Sequence, residues 1–181
     1  MAGQIEQQIA DPYAEALISL GQAQNCLDQL GNDFRFLQAT LAATPSLQGF
    51  LQNPIINADT KKELLQRTLA DQVHPLVLNT LKLLVDKRRI VFLEAICQRF
   101  LELQRKLQRI ALVKVTSAVE LTEGQRREIS ERMQQMEQAS RVELQTELDA
   151  DLIGGVIIKV GSKVIDLSLR GQLRRLALQL T

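Results

Sequence analysis

Through roughly the first 105 residues, apolar side chains recur every three or four positions, which is the spacing of one face of an α-helix. Near the N-terminus this stripe comprises Ile5, Ile9, Tyr13, Leu17 and Leu20. The pair Asp11-Pro12 is typical of a helix start, with the acid as cap and the proline in the first turn. The pattern therefore predicts a first helix that begins at Asp11, or one that begins earlier and adjusts at Pro12.

Cap and turn residues divide the rest of this region into further helices. A capping box opens at Thr60, and His74-Pro75 is another start signal. The predicted segments cover residues 26–41, 45–53, 60–69, 75–88 and 90–109. Residues 1–107 are therefore expected to form a bundle of five or six helices.

After residue 109 the hydrophobic period shortens toward two, as in half-buried strands. A second capping box at Thr122 predicts one helix between the strands, Gly161-Ser162 suits a hairpin turn, and Ser168 caps a final helix. The predicted strands cover residues 110–119, 141–148, 153–160 and 163–167, and the final helix turns inward Leu169, Leu173, Leu176 and Leu180. The expected fold class is α+β, with a β-α-β-β-β-α domain over residues 108–181.

The composition argues against several classes of function but indicates no specific one. The net charge is +1 and aromatic residues make up 3% of the chain, so neither a polyanion partner nor a base-stacking surface is indicated. No segment has the apolar length of a membrane span, and no signal-peptide pattern opens the chain. Cys26 and Cys97 are far apart, which favours two free thiols over a disulfide.

Residues that carry chemistry do not cluster in the sequence. His74 is the sole histidine, and its place before Pro75 predicts a helix cap or a solvated ring rather than a catalytic base. The pair Gly154-Gly155 matches no phosphate-binding loop and predicts a bend or a close backbone approach at a strand. We expect no catalytic residue, no cofactor and no metal site.

Two helices carry features of a binding surface. The 75–88 segment is apolar nearly all round, which predicts either central burial in the bundle or a side that receives a partner, with equal weight. The first helix carries Ala10, Ala14 and Ala16, small residues that allow another helix to approach closely. Side by side, the two helices would form a groove for an amphipathic helix.

The segment 142–161 carries a long irregular pattern, V-x-L-x-x-x-L-D-x-x-L-x-G-G-V-x-I-K-x-G. This pattern resembles the signature of ATP synthase delta subunits, the family that includes mitochondrial OSCP. Further similarity lies in Tyr13-Ala14-x-Ala16-Leu17, in Asn53-Pro54, and in the run from Asn79 to Arg88. The resemblance extends over essentially the whole chain.

The resemblance implies a six-helix N-terminal domain that binds N-terminal helices of the alpha subunits, and a C-terminal domain that holds the peripheral-stalk b subunits. It implies an alpha-subunit groove around Tyr13, Ala14, Ala16, Leu17, Leu20, Leu76, Asn79 and Leu83. For the b subunits it implies Gly154, Gly155, Leu169, Leu173 and Leu176. Such a stator subunit is not an enzyme, binds no nucleic acid or small molecule, and reaches the plasma or thylakoid membrane only through the complex, on its cytoplasmic or stromal face. A nucleic-acid-binding module and a helical adaptor outside ATP synthase remain the alternatives.

Overall fold

The computed structural model describes the backbone of residues 2–173 and the side chains of residues 6–173. The chain divides into two compact units, Met1–Gln104 and Arg105–Thr181. The first unit contains α-helices α1 to α6, whose bounds are Ala2–Ala23, Leu27–Ala43, Pro45–Gln52, Ala58–Leu69, Pro75–Asp86 and Leu93–Gln108. A short 3₁₀ turn, Ile90–Phe92, lies between α5 and α6, and the end of α6 belongs to the second unit.

The second unit is built on a four-stranded sheet with the order β2-β1-β3-β4. Its elements are β1 (Ile110–Ser117), α7 (Glu123–Glu137), β2 (Arg141–Leu148), a 3₁₀ turn (Ala150–Leu152), β3 (Val156–Val160) and β4 (Lys163–Asp166). β1 and β2 run parallel and are connected through α7, whereas β1–β3 and β3–β4 are antiparallel. A final helix is described over residues 169–173. The prediction of an α+β chain is confirmed.

Several predicted starts coincide with side-chain caps. The Thr122 hydroxyl accepts a hydrogen bond from the Gln125 N–H, and the Gln125 side chain accepts one from the Thr122 N–H, which completes the capping box. The Ser168 hydroxyl accepts from the Gly171 N–H at 3.0 Å. These starts were predictable because a cap is set by side chains within four residues of each other.

One helix follows the second of its two predicted forms, and one predicted start was wrong. α1 begins at Ala2 and includes Pro12, so of the two alternatives for the first helix the earlier start is confirmed and the start at Asp11 is not. Pro12 is exposed, and a proline inside a helix removes one backbone hydrogen bond; the apolar pattern on both sides of it carries the helix through. α4 begins at Ala58, because the Asn57 side chain accepts the Asp59 N–H and caps the helix before the predicted box at Thr60.

The core of the first unit is aliphatic around one aromatic pair. The rings of Phe34 and Phe100 lie 4.5 Å apart between centroids, and both are buried. α1 joins this core through Leu17 of its apolar stripe and through three small residues. Its buried positions are Ala10, Ala14, Leu17 and Gly21, whereas Ile9 and Tyr13 are half-buried. Among the described residues of the stripe, Leu17 alone is therefore fully buried, and the rest of the inner face of α1 consists of small residues.

A buried lysine of α4 caps the C-terminal end of α3. The Lys61 ammonium, 7% exposed, donates to the carbonyl oxygens of Leu51 at 2.6 Å and Asn53 at 2.7 Å. The last carbonyls of a helix have no partner within the helix, so this side chain of α4 satisfies them. The neighbouring Lys62 is more exposed and pairs with Asp59 and Asp86.

We expect Lys61→Met to lower the free energy of unfolding by about 2 kcal/mol, because two buried carbonyl groups lose a charged donor. Lys62→Met is the matched control, and we expect it to cost less than about 1 kcal/mol because its ion pairs are on the surface. Urea unfolding of both variants measures the difference. Equal losses for the two variants would contradict this role for Lys61.

Both cysteines are free thiols with different environments. Cys97 is fully buried, and burial raises the pKa of its thiol from 9.0 to about 12, whereas Cys26 is half-buried. We expect iodoacetamide at pH 8 to label Cys26 and to leave Cys97 unmodified in the folded protein, because the thiolate is the reactive form. A raised pKa favours the folded state below pH 9, and that contribution is lost as the pH rises toward 12. Mass spectrometry of the alkylated peptides tests this, and rapid labelling of Cys97 in native buffer would contradict it.

Candidate functional site

α5 is fixed at its N-terminus by His74. The ring Nδ1 of His74 accepts the Leu76 N–H at 3.2 Å, and the His74 backbone N–H donates to the Asp33 carboxylate at 2.7 Å. Of the two interpretations that the sequence left open, a cap or a solvated ring, the structure favours the cap. Asp33 is itself buried, so it holds the start of α5 against α2.

The structure divides apolar α5 into a buried side and a partly exposed side. Its inner side consists of Val77, Leu78, Leu81, Leu84 and Val85, all buried. On the opposite side, Leu76 is half-buried, Asn79 is exposed and Leu83 is 45% exposed. At 100° per residue these three positions lie within about 60° of one another. We call Leu76, Asn79 and Leu83 the α5 stripe.

The predicted residues of α1 separate into two groups. Ala14 and Leu17 are buried in the core and cannot contact a partner without unfolding. Tyr13, Ala16 and Leu20 lie within about 60° of one another on a neighbouring side of the helix. Tyr13 is half-buried, Ala16 is exposed and Leu20 is 43% exposed. We call these three residues the α1 stripe.

Arg89 connects the end of α5 to α1. It lies three residues beyond Asp86, the last residue of α5; its guanidinium donates to the Tyr13 hydroxyl at 3.0 Å and lies 5.9 Å from the ring centroid. The 3₁₀ turn that follows contacts both α1 and α5. Sequence reasoning did not single out Arg89, although the run Lys87-Arg88-Arg89 after an apolar helix was a visible signal.

In the second unit, the glycine pair lies before β3 rather than within it. Gly155 has φ +80°, and a side chain there would overlap the Leu167 carbonyl oxygen. A side chain at Gly154 would lie 2.9 Å from the Leu169 Cδ1 atom. The prediction that β3 begins at Ile153 was wrong, because the backbone turns at Ile153 and Gly155, both with positive φ. The predicted close backbone approach is present, since the start of the final helix packs on this pair.

The leucines of the final helix point outward where they are described. Leu169 is 47% exposed and Leu173 is 59% exposed, so the inward placement predicted for them was wrong. The inner side instead carries Ser168 and Gly171, held near Asp166 by the hydrogen bonds of Ser168. Leu176 and Leu180 lie outside the described residues. Of the predicted stalk residues, the structure brings Gly154 and Leu169 into contact and leaves Leu173 exposed.

An open cleft of about 490 Å³ lies between α3 and α4. Leu47, Phe50 and Leu64 line it, and the Glu63–Arg67 ion pair, 2.6 Å long, lies at its edge. Within the described part of the chain, no three His, Cys, Asp or Glu side chains converge as metal ligands. No helix in that part combines the length and apolar character of a membrane span.

The whole-chain pattern matches a known family model over residues 9–180, and that model describes the ATP synthase delta (OSCP) subunit. The chain belongs to the ATP synthase delta (OSCP) subunit family. The resemblance noted in the segment 142–161 is thereby confirmed over nearly the full length. As a delta-type chain it is a structural stator subunit of the F-type ATP synthase rather than a catalytic one.

Individual relatives support the assignment to the delta family. ATP synthase subunit delta of Synechococcus sp. (strain JA-3-3Ab) is 63% identical over 172 residues, covering 95% of this chain and 94% of the relative. The subunit of the same name from Gloeothece citriformis is 48% identical over 173 residues, covering 96% and 94% respectively. The delta assignment replaces the two alternatives, a nucleic-acid-binding module and an adaptor outside ATP synthase.

A solved structure shares the fold of this delta-family chain. A chain of the Toxoplasma gondii mitochondrial ATP synthase hexamer superposes with a TM-score of 0.76 over 94% of this chain and 96% of its own length. Because the two sequences are only 21% identical, the match shows a shared fold and nothing more specific. The mixed helical and sheet architecture is thus one that the ATP synthase contains.

Proposed function

We propose that the subunit connects the catalytic head of the ATP synthase to its peripheral stalk through its two units. The first unit, with its six helices acting as one bundle, receives N-terminal helices of the alpha subunits. The second unit holds the ends of the b subunits. A stator resists torque through large, tight contacts, so the function requires binding surfaces and no reactive side chain.

The observation that carries the proposal for the head is the α5 stripe. Leu83 is 45% exposed on a helix that buries five other apolar residues, and the half-buried Leu76 and the exposed Asn79 share its side. An amphipathic helix places its apolar residues into such a groove at spacings of three and four. The α1 stripe supplies a second wall, and the Arg89–Tyr13 contact supports closeness of the two helices.

The proposal for the stalk rests on apolar side chains that the second unit leaves exposed. Leu169 and Leu173 on the final helix, together with Ile153 beside the glycine pair, are 47%, 59% and 69% exposed. The contact between Gly154 and Leu169 brings two of these segments together. Apolar residues that are grouped on a surface are typical of subunit interfaces.

We propose that the subunit acts at the cytoplasmic or stromal face of a plasma or thylakoid membrane, bound there through the complex. The proposal rests on the family assignment and on relatives from photosynthetic bacteria such as Gloeothece citriformis. It requires no membrane contact by the chain itself.

A bridging experiment tests the proposal. The catalytic head, purified without this subunit, and the extramembrane part of the b subunits are mixed with the full chain and sedimented. We expect all three to sediment together. We expect Leu83→Glu to lose the head and keep the b subunits, and Leu173→Glu to do the reverse. If the wild-type chain binds neither partner, or if either variant loses both partners while folded, the proposal is wrong.

A further inference from the structure

The sheet of the second unit has one covered face and one face that carries charged residues. Side chains alternate between the two faces along each strand. Val113 and Val115 of β1 and Ile158 and Val160 of β3 are buried with Met133 of α7. The alternate positions of the same strands lie on the opposite face, and they include Lys114 and Lys159, both exposed.

The two lysines occupy directly opposed positions. In the antiparallel pairing of β1 with β3, Lys114 is the partner of Lys159. Like charges at opposed positions destabilise a sheet, because their β-carbons lie only about 5 Å apart. The residues that flank the lysines in the same row, Gln145 on β2 and Val164 on β4, carry no compensating charge.

Among the described residues, no acidic side chain on this face forms an ion pair with Lys114 or Lys159. Glu143 pairs with Arg105 at 3.7 Å, and the Asp166 carboxylate accepts hydrogen bonds from Ser168. Glu147 is exposed on the outermost strand, where it lies opposite Thr116. On the covered face, by contrast, Lys163 pairs with Glu137 of α7 at 2.8 Å.

We propose that this face binds an acidic amphipathic helix of a partner subunit, whose carboxylates pair with Lys114 and Lys159. Ile157, two positions before Lys159 on β3, and Val164, opposite Lys159 on β4, lie on the same face and offer apolar contact beside it. A helix packed on a sheet is a stable layer arrangement, and α7 already provides it on the other face. The proposal names the recognition chemistry of the stalk-binding unit and so rests on the proposed function.

Zero-length carbodiimide coupling in the assembled ATP synthase tests the contact, because this reagent joins an ammonium to a carboxylate only where the two touch. Mass spectrometry identifies the joined peptides. The 2.8 Å Lys163–Glu137 pair within the chain is the internal positive control. We expect Lys114 or Lys159 to be joined to an aspartate or glutamate of a b subunit.

The possible products separate this proposal from the proposed function. Coupling of either lysine to a subunit other than b supports acidic docking on this face and contradicts the assignment of the face to the stalk. Coupling to a second copy of this chain, or detection of the Lys163–Glu137 product with no product from Lys114 or Lys159, overturns the docking proposal.

A binding measurement supplies the second test. We expect the double variant Lys114→Gln/Lys159→Gln to weaken binding of the full chain to the extramembrane b subunits about tenfold or more at low salt, and much less at 0.5 M salt, because salt screens the lost pairs. Removing the repulsion should leave the thermal midpoint of the free chain unchanged or raised. Lys163→Gln is the control, and we expect binding within about twofold of wild type. Unchanged affinity and salt dependence in the double variant would overturn the proposal.

Discussion

Replacing Leu84 with glutamate should unfold the N-terminal unit, whereas the same substitution at the neighbouring Leu83 should leave it folded. Leu84 is fully buried, and a carboxylate there would have no described partner in the aliphatic core. Burying an unpaired charge and losing a leucine together cost about 5 kcal/mol or more, which approaches the whole stability of a domain. Leu83 is 45% exposed, so a glutamate there stays hydrated and should cost less than about 1 kcal/mol.

Circular dichroism with urea unfolding measures both variants against the wild type. The comparison is informative because the two positions are adjacent in one helix and receive the same residue. A folded Leu84→Glu variant, or an unfolded Leu83→Glu variant, would show that the inner and outer sides of α5 have been wrongly assigned.

Replacing Gly155 with alanine should destabilise the C-terminal unit by about 3 kcal/mol. The residue has φ +80°, and its new β-carbon would overlap the Leu167 carbonyl oxygen and lie 2.9 Å from the Ser168 Cα atom. Both neighbours are backbone atoms, which cannot move aside without displacing the start of the final helix. Gly161 is the matched control, because it also has positive φ, +56°, but open space around it. Gly161→Ala should therefore cost only about 1 kcal/mol, the left-handed backbone strain.

Amide exchange followed by mass spectrometry reports this loss for each unit separately. We expect Gly155→Ala to speed exchange in peptides of β3 and β4 and to leave α2 and α5 unchanged. Equal effects of Gly155→Ala and Gly161→Ala would contradict a close-packing role for the glycine pair.

The sequence was informative wherever structure is set by neighbours in the chain. The capping box at Thr122, the His74-Pro75 start and the Gly161-Ser162 turn each depend on residues within about four positions. The alternation in residues 141–148 gave the bounds of β2, although Leu148, predicted on its inner face, is exposed. Such local signals predicted several of the element boundaries and the order of the elements in both units.

The sequence was misleading wherever packing between distant elements decides. The large apolar residues of α1 suggested the inner face, but of those described only Leu17 is fully buried, and the inner face also includes Gly21, which lies against Leu27 and Leu30 of α2. The leucines of the final helix suggested burial, but Ser168, which donates hydrogen bonds to Asp166, is the buried residue, and Leu169 and Leu173 are about half exposed. These choices depend on contacts across many positions, which a single sequence does not display.

The candidate site was predictable in part for the same reasons. Exposure on α5 could not be assigned from the sequence, because that helix is apolar on nearly every side. The α5 stripe can be told apart only because the structure buries five other residues of the helix; the residue types alone do not distinguish the two sides. Arg89 was overlooked because its partner Tyr13 lies 76 positions away in the sequence.

Calorimetric titration of the full chain with a peptide of an ATP synthase alpha-subunit N-terminus tests the central claim most directly. A scrambled peptide is the ligand control, and Ile55→Glu is the protein control, since Ile55 is 91% exposed and lies outside both stripes. We predict saturable one-to-one binding with a negative heat-capacity change, retained in Ile55→Glu and lost in Leu83→Glu. Absence of binding at high micromolar peptide by the folded wild-type chain, or undiminished binding by Leu83→Glu, would contradict the account.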